Sequence, residues 1–569
     1  MKRYTFLLFS LFFKTVFSQA PALDYYNAPV KIPMLLSGNF GELRSNHFHS
    51  GIDIKTNGQN GVPVYPAADG EVSRIYISPG GFGLALYIDH PNGSTTVYGH
   101  LQKLRDDLAA FARSEQYEKE SFAVDLLVPK GKFKVRRNEI VAYSGNSGSS
   151  GGPHLHFEIR ETGTQQPLNP LLFQFNITDK MPPSILSVML YPLSEDAHIS
   201  GKPYAQRFET VFYDGAYHLK NNPVITVFGE VGFGLQSLDY LDGSWSKCGV
   251  YEIGLSVDGK PIYTFRMDKL SFDETRYLNS HIDYEHFQKH NRRLHKNWVE
   301  PGNKLNNYPV LENQGKAMLD DGKIHEVSYL VKDVKGNSSR LTFKVQSKPA
   351  KISQPEKEEI LVPFNKSYSL DKTGLEASFK AGSFYSDLRL DYQEKPSNNL
   401  YYSSIFKLHS NEVPVHDYFR LKLKAVKLPN ELQEKALIAS IDEKTGKKWA
   451  LGGNYENGWV EANVRQLGSF AIAVDTVAPT ITPVNIKNKT ILTDKNKISF
   501  KIADDFSGIE SYRGEINGKW VLFEYDAKNR LLEYHFDPQR MEFNKKQHLK
   551  LVVSDAKNNR TTYEASFFR

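Results

Sequence analysis

The chain has 569 residues, 40% hydrophobic and 24% charged, with 31 Tyr and 35 Phe, which is too long for one typical domain of roughly 100–200 residues and too aromatic for a disordered chain. The net charge of +6 falls to +3 if Lys2, Arg3 and Lys14 leave with a cleaved leader, and this is no nucleic-acid signature. One cysteine, Cys248, excludes an intrachain disulfide and a thiolate metal cluster, and reads as an ordinary buried residue.

Residues 1–18 read as a secretory signal: a basic Met1-Lys2-Arg3, an apolar run from Tyr4 to Phe13, and Val16-Phe17-Ser18 before Gln19. The competing reading, a membrane anchor, is weakened by Lys14 and by a run well short of the roughly 20 apolar residues a span needs. No later stretch is long enough to span, and Cys248 lies too far from the start to carry a lipid. Export is expected, to the periplasm or the extracellular face of the envelope, with no membrane span after cleavage. The lack of a terminal sorting motif and membrane tail points the same way.

Residues 19–178 hold the densest chemistry, between about Gly38 and Leu172. Gly-rich turns there separate short runs, such as Ala85-Leu-Tyr-Ile88 and Leu155-His-Phe-Glu-Ile159, that predict strands. Leu101, Leu104, Leu108 and Phe111 recur at helical spacing and predict an inserted helix directly after His100, running to about Glu120.

Beyond it the chain repeats weakly. Asp179-Lys-Met-Pro-Pro-Ser-Ile185 matches Asp475-Thr-Val-Ala-Pro-Thr-Ile481, and Leu330-Val-Lys-Asp-Val-Lys-Gly-Asn337 matches Val552-Val-Ser-Asp-Ala-Lys-Asn-Asn559. Asp258-Gly259 and Asn517-Gly518 supply the favoured two-residue hairpin turns at corresponding places. Two related Ig-like β-sandwiches, 179–347 and 475–569, are expected. The first carries a polar insertion from Phe287 to Asn307, with His290 and His295, read as a surface loop. Between the two lie a Pro-containing linker, 348–357, and another β-rich domain, 358–474. The predicted fold class is therefore mainly β.

Three clusters carry the chemistry: His49-Ser-Gly-Ile-Asp53, Tyr98-Gly-His100-Leu101 and His154-Leu-His156. Alternation along a strand aims His154 and His156 to one face, and the same reading groups His49 with Asp53. Imidazole and carboxylate suit zinc, and a catalytic site uses three protein ligands with a fourth position for water. Five candidate groups thus give three ligands and two helpers. The loop Ser144-Gly-Asn-Ser-Gly-Ser-Ser-Gly-Gly152 before the histidine strand lets a substrate backbone approach closely.

Taken in order, Ser37-Gly-Asn-Phe-Gly41, His49-Ser-Gly-Ile-Asp-Ile54, Gly61-Val-Pro-Val64, Ala67-Ala-Asp-Gly70, Gly83, Tyr98-Gly-His-Leu101, Gly145-Asn-Ser-Gly148 and Gly152-Pro-His-Leu-His-Phe-Glu158 resemble the lysostaphin and LytM type of zinc endopeptidases. The resemblance spans about residues 38–172 and implies an antiparallel β-sheet peptidase domain that cuts peptide bonds in peptidoglycan cross-links or bridges. It implies one Zn2+ held by His49, Asp53 and His156, with His100 and His154 as catalytic histidines. His47 competes as a ligand, but only His49 has the family's spacing to Asp53. Some relatives have lost their ligands and activate other wall hydrolases; the alternative reading is such a non-catalytic wall-binding or activating protein.

The pattern departs from the compact family after His100, where Gln102 to Lys134 intervene. That insert either walls, gates or docks, or is a solvated excursion. The domains beyond 178 are expected to engage wall material or a protein partner. Ligand histidines must be neutral to hold metal, so activity is expected to fall below about pH 6.

Overall fold

The computed structural model describes residues 23–352, 360–396 and 399–569. The expected leader at 1–18, and residues 353–357 of the expected linker, lie outside them.

The N-terminal part is built from β1 (Leu36–Gly38), β2 (Ile52–Lys55), β3 (Pro63–Val64), β4 (Gly70–Ile77), β5 (Leu84–Asp89), β6 (Ser94–Gly99) and β7 (Leu101–Leu104). These are followed by helix α1 (Asp106–Glu118), β8 (Val124–Leu127), β9 (Lys134–Val135), β10 (Ala142–Ser144), β11 (His154–Glu161) and β12 (Pro167–Leu168). The main sheet runs β1-β2-β11-β6-β5-β4-β8, with β12 on β11 and β9 on β4; β3-β10-β7 form a second, three-stranded sheet. β11 is a central strand, antiparallel to both β2 and β6, and its register sets His156 opposite Asp53 on one side and Gly99 on the other. Its apolar residues Leu155, Phe157 and Ile159 are fully buried, and they alternate with His154, His156 and Glu158 on the other face.

The helix starts later than the sequence predicts. Leu101 and Leu104 are the buried ends of β7, which pairs with β10, and α1 begins only at Asp106. Asp106 and Asp107 in its first turn complement the helix dipole. Leu108, Ala112 and Gln116, four residues apart, are its buried face.

Three further β units follow, each with its own core. In the first, twelve strands from His198–Ile199 and Ser184–Pro192 through Ser338–Ser347 pair continuously around one core, because the long strand Ile225–Leu238 pairs with both Ser184–Pro192 and Ser338–Ser347. The next, within 360–474, packs two five-stranded sheets. The last, within 480–568, packs a four-stranded on a five-stranded sheet. The hairpin turns Asp258-Gly259 and Asn517-Gly518 have φ of +50° and +77°, and +51° and +76°, as a twist-compatible two-residue hairpin requires.

The segment 287–307 is not the surface loop the sequence suggests. Leu294, His295 and Asn297 are buried, and His295–Lys296 pairs as a strand with Ile225–Leu238. The short helix Tyr284–His290, which overlaps the start of the segment, has no buried residue.

The first unit is interlocked with the N-terminal part. Phe40 and Phe48 sit in its core, while its own Leu241 and Cys248 sit in the core of the N-terminal part. The last unit returns to the N-terminal part: Trp520 meets Tyr117 of α1 edge-on with ring centroids 5.2 Å apart, Arg540 lies over the same Tyr117, and Arg513 pairs with Glu120 at 2.7 Å. The insert after His100 is thus a platform for the chain's own C-terminal unit.

Candidate metal centre

His49 precedes β2 across a bend at Ser50-Gly51, so strand alternation does not place it; the bend folds its ring back over Asp53. Gly51 is required there, because a Cβ would lie 2.4 Å from the Phe157 carbonyl oxygen on β11. The result is three atoms around one point: His49 Nε2 to Asp53 Oδ1 is 3.1 Å, His156 Nδ1 to Asp53 Oδ1 is 2.9 Å, and His49 Nε2 to His156 Nδ1 is 3.1 Å. Ligands at about 2.0–2.1 Å from a tetrahedral zinc stand about 3.3 Å apart, so the triangle is of the size a metal ion takes. The three residues are 3–4% exposed, and they form a group able to hold a metal ion.

Each of the three has its remaining polar atom bound. His49 Nδ1–H donates to Asn39 O at 2.8 Å, which leaves Nε2 with its lone pair. Asp53 Oδ2 accepts from Arg44 Nη2 at 2.6 Å. His156 Nε2–H donates to Glu158 Oε1 at 2.9 Å. Glu158 is fully buried and also accepts from Ser50 Oγ and Arg160 Nε, both at 2.5 Å. Burial alone would raise the Glu158 carboxyl, but Arg160 and the His156 hydrogen bond bring it down to about 2. Burial likewise opposes charge on His156, yet hydrogen bonds to Asp53 and Glu158 raise it to about 9. The pocket between those carboxylates therefore favours a positive charge, which a cation supplies.

His100 sits where β6 passes to β7, in the left-handed region at φ +58°, a conformation costing a non-glycine residue about 1 kcal/mol. That turn moves the chain from one sheet to the other and swings the ring over the site, 4.7 Å from the His154 ring. His100 Nδ1–H donates to Ser147 O at 2.9 Å and His154 Nδ1–H to Gly152 O at 2.8 Å. Both rings are thereby fixed in the tautomer with a free lone pair on Nε2. His154 Nε2 is buried without a hydrogen-bond partner and lies 3.4 Å from Asp53 Oδ1. Burial, with His156 and His154 alongside, holds His100 down to about 3, so it stays neutral near neutral pH.

All five groups singled out in the sequence converge, while His47 is exposed and turns to Ser45 O. The sequence reading missed Asn39, Arg44, Ser50, Glu158 and Arg160. Glu158 could have been found, since it shares the strand face of His154 and His156. Arg44 and Asn39 give no periodic signal.

Comparison with known proteins finds similarity over the same part of the chain. Residues 47–110, which include His49, Asp53 and His100, match peptidase family M23. The chain carries an M23 peptidase domain. Residues 359–475 match the Zu5-like domain. The M23 part is 34% identical over 129 residues, 23% of each chain, to "DD-carboxypeptidase/endopeptidase Mpg" of Neisseria meningitidis serogroup B. It is 29% identical over 160 residues to "Peptidoglycan DD-endopeptidase ShyA" of Vibrio cholerae serotype O1, 27% of this chain and 31% of that one. The matched stretches thus span under a third of these relatives' own length. A crystal structure of a zinc-containing peptidase from Vibrio cholerae is 28% identical over 26% of this chain and 39% of its own, with a TM-score of 0.19.

Proposed function

We propose that this protein is an exported zinc metalloendopeptidase that hydrolyses peptide bonds in peptidoglycan cross-links or bridges, with one Zn2+ held by His49 Nε2, Asp53 Oδ1 and His156 Nδ1. The reading rests on the convergence of those three atoms within 3.1 Å, each on a side chain whose other polar atom is already bound. In this reading 19–178 is the catalytic unit. The units at 179–347, 358–474 and 475–569 hold it and offer surfaces to the wall or a protein partner.

Zinc at this position supplies a Lewis acid for the scissile carbonyl and a water acidified from a pKa of about 15.7 toward 7. The chain's own residues do the rest. His100 and His154 turn Nε2 to the site, where it accepts a proton from the attacking water and, once protonated, donates to the developing oxyanion and passes the proton to the leaving amine. Ser147 and Gly152 carbonyls keep both rings in the tautomer that this needs. Glu158, itself held by Ser50 and Arg160, accepts from His156 Nε2–H, which fixes that ring and raises its strength as a ligand.

The test is zinc content together with release of peptides from purified peptidoglycan, for wild type, His49→Ala and His154→Ala. Wild type is expected to carry about one zinc and to release new peptide ends. His49→Ala is expected to lose the metal, and His154→Ala to keep metal but not activity. A wild-type protein that binds no zinc and cuts nothing, even with metal supplied, would instead favour a wall-binding or activating role.

A further inference from the structure

Two other carboxylate clusters recur at equivalent positions in the two related sandwiches. Asp179, Asp239 and Asp333 form one, and Asp475, Asp504 and Asp555 the other; in each, one carboxylate oxygen per residue lies within 4.8 Å of the other two. The hydrogen bonding around them is duplicated almost atom for atom. Asp333 Oδ1 accepts from Lys335 N and Asn337 N, and Asn337 Nδ2 donates to Asp333 Oδ2 and to Asp179 O. Asp555 Oδ1 accepts from Lys557 N and Asn559 N, and Asn559 Nδ2 donates to Asp555 Oδ2 and to Asp475 O. The repeat motif in the sequence thus encodes a carboxylate cage rather than only a strand and a turn.

A ligand is indicated by what the cages leave unpaired. Asp239 is only 3% exposed, and its Oδ1 has no hydrogen-bond partner. Asp504 Oδ1 is likewise buried and unpartnered, although its Oδ2 accepts from Phe506 N and Gly508 N. Stranding a buried carboxylate oxygen is expensive, and the same atom is stranded in both copies. The charges acting on Asp239 are those of Asp179 and Asp333, and burial with these neighbours pushes its carboxyl up to about 8. In the last sandwich Lys557 lies beside the cluster, with its Nζ donated to Gly453 O at 2.6 Å.

We propose that each of these carboxylate triads binds one calcium ion. A cage of three aspartate carboxylates, with no imidazole or thiol in the set, is the donor set of a hard cation, and its loop-built irregularity suits calcium better than octahedral magnesium. Both cages stand at joints. Next to the first, Leu241, Cys248 and Val334 pack into the peptidase core. Next to the second, Phe506 packs on Leu437, Ala439 and Ala473 of the preceding unit, and Lys435 Nζ donates to Lys557 O. Calcium at these points fastens one unit to the next. The first joint leads on to the M23 site: Asp239 and Cys248 exchange backbone hydrogen bonds at 3.0 and 2.9 Å, Gly249 exchanges two with the Asn39 side chain, and Asn39 O holds His49.

The test is equilibrium dialysis of the zinc-loaded full chain against radioactive calcium, with thermal unfolding in parallel. Wild type is expected to take up two calcium ions per chain, and Asp239→Asn and Asp504→Asn one each. At saturating calcium the unfolding temperature of the wild type is expected to rise by at least about 5 °C. Without calcium, Asp239→Asn is expected to unfold no lower than wild type at neutral pH, because a carboxyl raised to about 8 is already uncharged there and Asn replaces it with a neutral group of the same size. His49→Ala is expected to keep both calcium ions, which separates this proposal from the zinc site. No uptake by wild type at millimolar calcium, two ions on Asp239→Asn, or magnesium taken up in place of calcium would each overturn it.

Discussion

Glu158 has no exposed surface, yet it lies between a ligand-type histidine and Arg160, itself 4% exposed. Replacing it by Gln keeps the volume but removes the charge that orients His156 and balances the guanidinium. Loss of such an orienting partner typically weakens metal binding about 10- to 100-fold. Glu158→Gln is therefore expected to lower zinc affinity by that factor, measured by competition with a chromophoric chelator, and unchanged affinity would remove Glu158 from the centre. A second pair of buried rings carries a pH effect away from the site. His281 Nε2 and His295 Nδ1 lie 2.7 Å apart in the first sandwich, and burial lowers His295 to about 4. Its unfolded value is about 6.5, so the unfolded chain binds the proton more readily. The neutral ring's contribution is complete above pH 6.5 and is lost as pH falls through the window down to about 4. From this residue alone, stability should drop by about 2 kcal/mol between pH 7 and 5. Urea unfolding at both pH values checks this, and His295→Gln should shrink the difference.

At the scale of elements, the loop before β2 is held from outside its own sheet. Phe48, 1% exposed, is packed in the sandwich core with its ring 6.2 Å from Phe265, and its backbone N–H donates to Thr275 Oγ1 at 2.9 Å. Phe48→Ala should lower stability by about 3–5 kcal/mol and also reduce zinc occupancy, because His49 is the next residue. A melting-temperature drop with full zinc content would show that the loop is set by the sheet alone. This coupling explains what could be read from the sequence. The His154-Leu-His156 pattern is legible because alternation on β11 aims both rings to one face, whereas His49 and His100 stand at a bend and a turn that alternation does not place. Asn39 and Phe48 take their places from a unit more than 130 residues away, and no local period encodes that; Arg44 reaches Asp53 from the irregular loop between β1 and β2, which has no period either. Leu101 and Leu104 mislead for the opposite reason: their spacing fits a helix, but pairing of β7 with β10 prevails. Residues 294–297 look like a polar loop because the partners of His295 and of the Asn297 side-chain oxygen are His281 and the Tyr329 hydroxyl inside the core rather than water.

Across the whole molecule, contacts run from the M23 domain through the first sandwich, where Arg276 donates to the Val415 and His416 carbonyls of the Zu5-like unit. They continue to the last sandwich and back to α1, so the chain closes on itself. The closing contact matters for the site, because Lys528 of the last sandwich donates to the carbonyls of Asn146 and Ser150. Those residues belong to the glycine-rich loop that also gives His100 its Ser147 acceptor and leads into His154. The exposed Arg513–Glu120 pair contributes little by itself; the Tyr117–Trp520–Arg540 stack and Lys528 carry the contact. Replacing Tyr117 and Lys528 together by Ala should therefore release the last sandwich without disturbing the His49–Asp53–His156 triangle. Hydrogen exchange is expected to speed up several-fold in peptides covering 145–152 and 520–530, while zinc content stays the same. Exchange unchanged in 145–152 would mean that the loop is ordered by the M23 domain alone. Faster exchange there, with peptide release from peptidoglycan slowed but metal retained, would make the C-terminal sandwich a working part of the rim around the proposed site.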